Sequence, residues 1–267
     1  MGGTAFAQAV VVLASPVLTR LYSPEAFGSL SVFTSIVTIA TIFSTLQLHL
    51  AIPLSQDREE VLDVVLLAFG ILVLFTGLFG AVTVWGGSWG EILRLPFWGN
   101  RTFWTLISAT ILLTGVHQIV SYWAIRSQAF GLVSRSRVYQ NIGSVAAQLA
   151  MSRLSSFGLV LGFACSRLVG IYAMGSRVLK DFRGYSLEFR RLLHRLKQYR
   201  QFPLFTTWLE LFDALSLHSL PLILTPVFGP SVVGFYALAE RVIAMPVVLV
   251  GRATAEVFAS SAAAEYR

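Results

Sequence analysis

Apolar positions run along this chain in long unbroken blocks, without the half-polar periodicity of soluble elements. Residues 26–56 contain no Asp, Glu, Lys or Arg over 31 positions; 64–90, 102–125 and 214–239 contain none over 27, 24 and 26. A bilayer core about 30 Å thick needs roughly 20 mostly apolar residues in a helix, and each block is long enough. Lipid allows only helices or closed barrels, and the dyad alternation of a barrel is missing. The pattern predicts an all-α fold, a polytopic transmembrane helical bundle of about eight spans. They fall near 4–20, 26–54, 62–85, 102–124, 133–152, 155–178, 203–227 and 231–258. The fifth and sixth have Arg135, Arg137, Arg153 and Arg167 in or beside them. The eighth carries Glu240, Arg241, Arg252 and Glu256, so it cannot face lipid all round.

Composition sharpens the class. The chain has 267 residues, 55% apolar and 12% charged, with a mean hydropathy of +0.72. Soluble domains carry about 25% charged residues, so a soluble globule, a disordered chain and a disulfide scaffold are all excluded, and Cys165 has no intrachain partner. The net charge of +7 does not imply nucleic acid, because segment 177–200 alone holds eight Lys/Arg against two acids. Met1-Gly2-Gly3-Thr4 lacks the basic start of a signal peptide. With a cytoplasmic N-terminus, the inside connections hold 13 basic residues and the outside ones four; the positive-inside rule then predicts both termini cytoplasmic. Loop 86–101 would lie on the opposite side, with Trp85, Trp89, Trp98 and Trp104 forming an interfacial belt. Segment 189–200 reads as an amphipathic helix on the anionic inner leaflet, Arg190, Arg191, Arg195 and Lys197 opposing Phe189, Leu192, Leu193, Leu196 and Tyr199.

An internal echo organises the spans. LTRLYSPEAFGSL (18–30) aligns without gaps with LTPVFGPSVVGFY (224–236) at an offset of 206, pairing Leu18/Leu224, Thr19/Thr225, Pro24/Pro230 and Gly28/Gly234. Each copy reads as a short Pro-started turn between two spans, with Gly just inside the following helix. Six spans separate the copies, an even number, so both share one membrane orientation. That is a parallel repeat, a known transporter plan. It divides the chain into a six-span lobe (1–178), a basic linker (179–202) and the first two spans of a second lobe (203–267).

The segment 3–36 resembles the opening of bacterial polysaccharide flippases, the O-antigen and capsule exporters of the multidrug/oligosaccharidyl-lipid/polysaccharide superfamily. The carrying residues are Gly3-Thr4-Ala5, Ala7-Gln8, Leu18 to Tyr22, Pro24-Glu25 and Phe27-Gly28. HLAIPLSQDREE (49–60), YRQFPLF (199–205) and 220–258 are similar to later family segments. The resemblance implies a chain truncated after about span eight, since the family has twelve or more, and Asp213 stands where a neutral polar residue is expected. It implies a non-enzymatic, inner-membrane flippase for undecaprenyl-diphosphate-linked oligosaccharide units, working by alternating access. Its partners would be that lipid-linked oligosaccharide, the bilayer and other polysaccharide-assembly membrane proteins, with no nucleic acid, cofactor or metal.

Such a cargo requires cations for the pyrophosphate and a polar lining for the sugars. Arg is suited, because its planar fork donates bidentately. The substrate-binding candidates are Arg241, Arg20, Arg167 and Arg252. Arg20 reads equally as a residue snorkelling to the interface, Arg167 as a lobe-interface residue, and Arg252 as an i,i+4 partner of Glu256. Glu210, Asp213 and Glu240 are candidates for ion coupling or for neutralising Arg241. No metal-ligand spacing, nucleophile elbow or Gly-rich phosphate loop accompanies them. His49, His117 and His218 read as helix-bridging groups; Gln140, Asn141 and Gln148 either line a sugar path or bridge helices. The alternatives are a cation-coupled multidrug exporter, a membrane glycosyltransferase or polymerase of the same pathway, and an inactive remnant.

Overall fold

The computed structural model describes residues 2–55, 57–85, 101–181 and 188–265; the loop 86–100 lies outside them. Its helices are α1 (Gly2–Leu21), α2 (Pro24–Thr45), α3 (Arg58–Trp85), α4 (Arg101–Arg126), α5 (Phe130–Ala150), α6 (Ser155–Asp181), α7 (Phe189–Gln198) and α8 (Thr207–Glu265). Short 3₁₀ turns occupy Leu48–Leu54 and Ser152–Leu154, and a π-helical turn occupies Phe202–Thr206. No strand occurs among the described residues. Five segments of these residues are long and apolar enough to cross a membrane: Pro24–Thr45, Arg58–Thr83, Arg101–Arg126, Ser152–Tyr172 and Phe202–Ile243. The chain is a helical transmembrane bundle.

The last segment spans 42 residues, about 63 Å at 1.5 Å per residue and twice a bilayer core. It divides at Gly229, whose φ of 81° and ψ of 168° break the helix into two arms. Only glycine takes that φ without a Cβ clash. The arms are the expected spans 203–227 and 231–258. The expected spans 4–20 and 133–152 fall on α1 and α5, helices of 20 and 21 residues that are not among those five segments.

The turn between α1 and α2 has the same construction. Ser23 is extended, with ψ 159°, and Pro24 opens α2, where a missing N–H costs nothing. Gly229 and Pro230 stand at the equivalent positions of the second copy, so the two repeats break their helices at one register.

Span 26–54 differs from its expected shape. Helix α2 stops at Thr45, Leu46 and Gln47 adopt left-handed φ values of 46° and 55°, and a 3₁₀ turn follows. The reason is tertiary: Leu48, Ala51 and Ile52 bury against Val64, Val65, Trp123 and Ala124. The chain folds back under α3 and α4 to reach that core, although no Gly or Pro marks the break.

Close helix approach is set by small residues, as is usual where lipid supplies no hydrophobic drive between helices. A Cβ at Gly162 or Gly170 would overlap Gln148 or Gln140 of α5, and one at Gly115 would overlap Leu72 of α3. A second core joins Val32, Phe33 and Val37 of α2 to Phe103, Ile107 and Ile111 of α4, Val160 of α6 and Val233 of α8. Phe33 packs edge-on against Phe103 at 5.6 Å and Phe163 at 6.3 Å. The α1–α2 end is closed by Leu18, Tyr22, Ala26, Phe27 and Leu159.

Helix α7 departs from a purely lipid-facing anchor. Its inner face docks onto the acidic first turns of α3: Arg191 Nη1 lies 2.8 Å from Glu59 Oε2, and Arg195 Nη1 lies 2.9 Å from Glu60 Oε1. Asp63, fully buried, lies 3.7 Å from Arg195. Gln198 and Tyr199 also donate to Glu60, at 3.0 and 3.1 Å. Arg190, His194 and Lys197 remain exposed on the other face. The basic segment is thus divided between carboxylates within the protein and its surroundings.

Candidate functional site: a cationic hollow

A hollow of about 320 Å³, partly open and lined by both polar and apolar side chains, lies among α1, α2, α5, α6 and α8. Val11 of α1 and Phe27, Leu30, Ser31 and Thr34 of α2 form one wall. Gln140, Asn141, Ser144, Val145 and Gln148 of α5 form another, with Phe163, Ser166 and Arg167 of α6 and Ala237, Leu238 and Arg241 of α8 completing it. The α5 residues Gln140, Ser144 and Gln148 recur every four positions and so share one helical face.

Arg167 and Arg241 reach this space from separate helices. Arg167 lies twelve residues into α6, and Arg241 eleven past Pro230. Both helices start at the α1–α2 end, where Gly158 approaches the Tyr22 hydroxyl. At 1.5 Å per residue both arginines sit about 17 Å below that end, near the middle of a bilayer. The Arg167 guanidinium lies 4.8 Å from the centre of the Phe163 ring, a cation–π geometry. Arg241 donates from Nη2 to the Val11 carbonyl at 3.2 Å, which ties α8 to α1.

The hydrogen-bond inventory is unbalanced toward donors. Arg167 Nε and Gln140 Nε2 are buried without an acceptor, although Gln140 is only 6% exposed. Gln148 Nε2 makes a long bond to the Leu159 carbonyl at 3.4 Å. Ser166 and Thr34 spend their hydroxyl protons on Phe163 and Ser31 carbonyls, at 2.6 and 2.9 Å, keeping oxygen lone pairs free to accept. No Asp or Glu is among the described lining residues. Leaving buried donors unmade costs about 1–3 kcal/mol each, so an arrangement that retains them suits a ligand rich in acceptors. A polar network continues behind Gln140: Ser136 donates to the Gly170 carbonyl at 3.2 Å, and His117 Nε2 lies 3.5 Å from Ser136 and Ser121.

The remaining sequence candidates lie elsewhere. Arg20 is exposed at the end of α1, and Asp213 is exposed and Glu210 half-buried on the first arm of α8. Glu240 is exposed beside Arg241 in sequence. Among the described residues none of the three carboxylates pairs with Arg241, so the expected neutralisation of that arginine is not what the structure shows. Their separation has a simple cause: Glu210 and Asp213 belong to the arm before Gly229, and Arg241 to the arm after it. Arg252 and Glu256 lie outside the described side chains.

Residues 17–265 match the family described as polysaccharide biosynthesis protein. The chain belongs to that family. No curated protein and no solved structure matches it. In this polysaccharide biosynthesis protein the site draws on groups that sequence reading passed over: Ser31, Thr34, Ser144 and Ser166. Each is a small hydroxyl residue in a span, and only its convergence with an arginine distinguishes it. Gln148 bridges to α6 through the Leu159 carbonyl and also lines the hollow.

Proposed function

We propose that this polysaccharide biosynthesis protein is a carrier for lipid-linked oligosaccharides that flips their sugar–pyrophosphate head group across the bacterial inner membrane. The observation carrying this reading is the convergence of Arg167 and Arg241 on one hollow whose described lining holds no carboxylate, among apolar helices. Ionisable residues at membrane depth are costly and are functional by default. Two guanidiniums suit a pyrophosphate, and the amides and hydroxyls of α5, α2 and α6 suit sugar hydroxyls. The lipid tail stays in the bilayer, and no bond is made or broken, so the protein acts as a carrier and not as an enzyme. Coupled export of cationic drugs fits less well, because two arginines would repel such cargo.

In this reading α1–α6 form the first lobe of an alternating-access carrier, and α8 opens a second lobe by parallel repeat, with eight spans in all and both termini cytoplasmic. The exposed faces of α8 support it. Tyr22 is 4% exposed but its repeat-mate Phe228 is 60% exposed; Ala26 is 1% and its mate Val232 45%. The first copy is clothed by α5 and α6, and the second presents the same face bare. Other membrane proteins of polysaccharide assembly are the natural partners.

The test is export. In an otherwise active system, Arg241→Ala and Arg167→Ala are expected to abolish surface glycan while the protein stays in the membrane. Unchanged export in both variants would overturn the reading.

A further inference from the structure

A second cavity, a groove of about 410 Å³, lies among α3, α4 and α6. Leu66 and Phe69 of α3, Val116 of α4, and Ile171, Gly175 and Val178 of α6 are among its walls, and no described lining residue carries a polar side chain. It opens toward the bilayer. Leu168, Tyr172 and Gly175 follow at i, i+4 and i+7 on one face of α6, and Leu168, Tyr172 and Phe69 are exposed. A Cβ at Gly175 would meet nothing nearer than Ile171, at 3.9 Å, so a missing side chain keeps the space open.

The groove is confined to one leaflet. Val178 lies three residues before the end of α6 at Asp181, and Ile171 ten before it. The groove therefore runs from about 5 to about 15 Å inside the α7 end of the bundle, half of a core about 30 Å thick. It shares no lining residue with the hollow. Gly170, next to Ile171, closes on His117, next to Val116, and on Gln140, which lines the hollow. Packed side chains thus divide the two spaces.

Positive charge gathers at the mouth of the groove. Glu59, Asp63 and Leu66 follow at i, i+4 and i+7 on one face of α3, and Arg191 of α7 faces both carboxylates, at 2.8 and 4.0 Å. The clasp therefore holds α7 about 5 Å from Leu66, as measured along α3 from Asp63. Arg190, His194 and Lys197 form an exposed stripe on α7 at i, i+4 and i+7. The nearby exposed carboxylates Glu59 and Glu188 are engaged by Arg191, which leaves the stripe net positive.

We propose that the groove seats one acyl chain of an anionic phospholipid whose phosphate head rests on the Arg190–Lys197 stripe. Lipid tails are as apolar as the groove walls, so the tail alone gives little selection; the cations choose the lipid. The tail of a cargo whose head sits in the hollow is not the occupant, because the contact of Gly170 with His117 and Gln140 stands between.

The test uses the full chain in a neutral detergent, with phosphatidylglycerol, phosphatidylcholine and a polyprenyl phosphate as probes and binding read by native mass spectrometry. Wild type should bind phosphatidylglycerol about tenfold more tightly than phosphatidylcholine, the effect of two cations near an anionic head. Arg190→Gln with Lys197→Gln should erase that preference and leave phosphatidylcholine binding as it was. Gly175→Leu fills the groove and should weaken phosphatidylglycerol by about tenfold. Gly175→Ala, which fits without overlap, should fall between, and Gly77→Leu, placed where a Cβ meets open space, should match wild type. Equal affinity of wild type for the two phospholipids, or unchanged affinity in the Gly175 variants that fold, overturns the proposal. So does tighter binding of the polyprenyl phosphate that the Gly175 variants weaken, which would make the groove a cargo site. Export plays no part in this measurement, so arginine variants that leave export unchanged would sink the carrier reading and leave this result standing.

Discussion

The Tyr22 hydroxyl donates to the Gln148 carbonyl at 2.5 Å, bolting the α1–α2 turn to the end of α5. The two residues are 126 apart in sequence, and Gln148 also lines the hollow. Tyr22→Phe removes one buried hydrogen bond and leaves a carbonyl without its partner, so it should lower stability by about 1–2 kcal/mol. Phe228→Tyr, at the exposed repeat-mate, should change nothing. Thermal unfolding of the two variants in detergent checks both; equal midpoints for wild type and Tyr22→Phe would show that the bolt carries no load.

Gln140 offers a separation of stability from activity. Its buried, acceptor-less amide is a liability to folding, so Gln140→Leu is expected to hold or raise stability by about 1 kcal/mol, while lowering glycan export if the amide meets cargo. Unfolding midpoints and export in one strain measure both. A variant that loses stability and keeps export contradicts the binding role.

The α3–α7 clasp should hold through its carboxylates. Glu60→Gln removes the nearer of the two carboxylates that face Arg195, leaving Asp63 at 3.7 Å, and should loosen α7, seen as faster amide exchange over 189–198. Glu60 is buried and Arg195 partly exposed, and a cost of about 1–3 kcal/mol is expected. Exchange that stays at the wild-type rate would mean that apolar packing alone retains α7.

Tyr199 gives the clasp a pH signature. Burial, with help from its bond to Glu60 and against the opposing pull of Ser55, pushes its phenol above the ordinary value of 10.0. An unfolded phenol therefore ionises first, so the stabilisation is complete below about pH 10 and is lost as pH rises through the folded value. Alkaline unfolding should be blunted in Tyr199→Phe, and identical alkaline limbs would exclude Tyr199 as its source.

Topology is tested by fusion. A reporter active only in the cytoplasm should be on after Arg200 and off after Gly99; the reverse pattern would invert the orientation.

Much of this architecture was legible because lipid punishes charge: the charge-free blocks delimit α2, α3, α4 and α8. Pro24 and Pro230 likewise announced their helix starts. The turn at Leu46 and Gln47 was hidden, since burial of Leu48 and Ile52 dictates it against local preference. Arg167 and Arg241 stood out as membrane-depth cations, yet their common destination depends on how α6 and α8 meet, which spacing within either helix cannot show. Ser31 and Thr34 were invisible for another reason: hydroxyl residues in spans commonly bond their own helix carbonyls, so their presence alone carries no message. The Arg191–Glu59 and Arg195–Glu60 pairs join segments more than 130 residues apart, and the charge pattern of 189–200 alone suggested lipid instead.

Anchoring α7 to α3 has a mechanical result. It holds the chain leading into the π-helical turn Phe202–Thr206 and the foot of α8, while the close approach of Gly28 to Pro230 lies at the far end of the first arm, about 33 Å away along the helix. With the foot as fulcrum, a tilt of only about 3–4° would part the upper contact by roughly 2 Å, given that lever length.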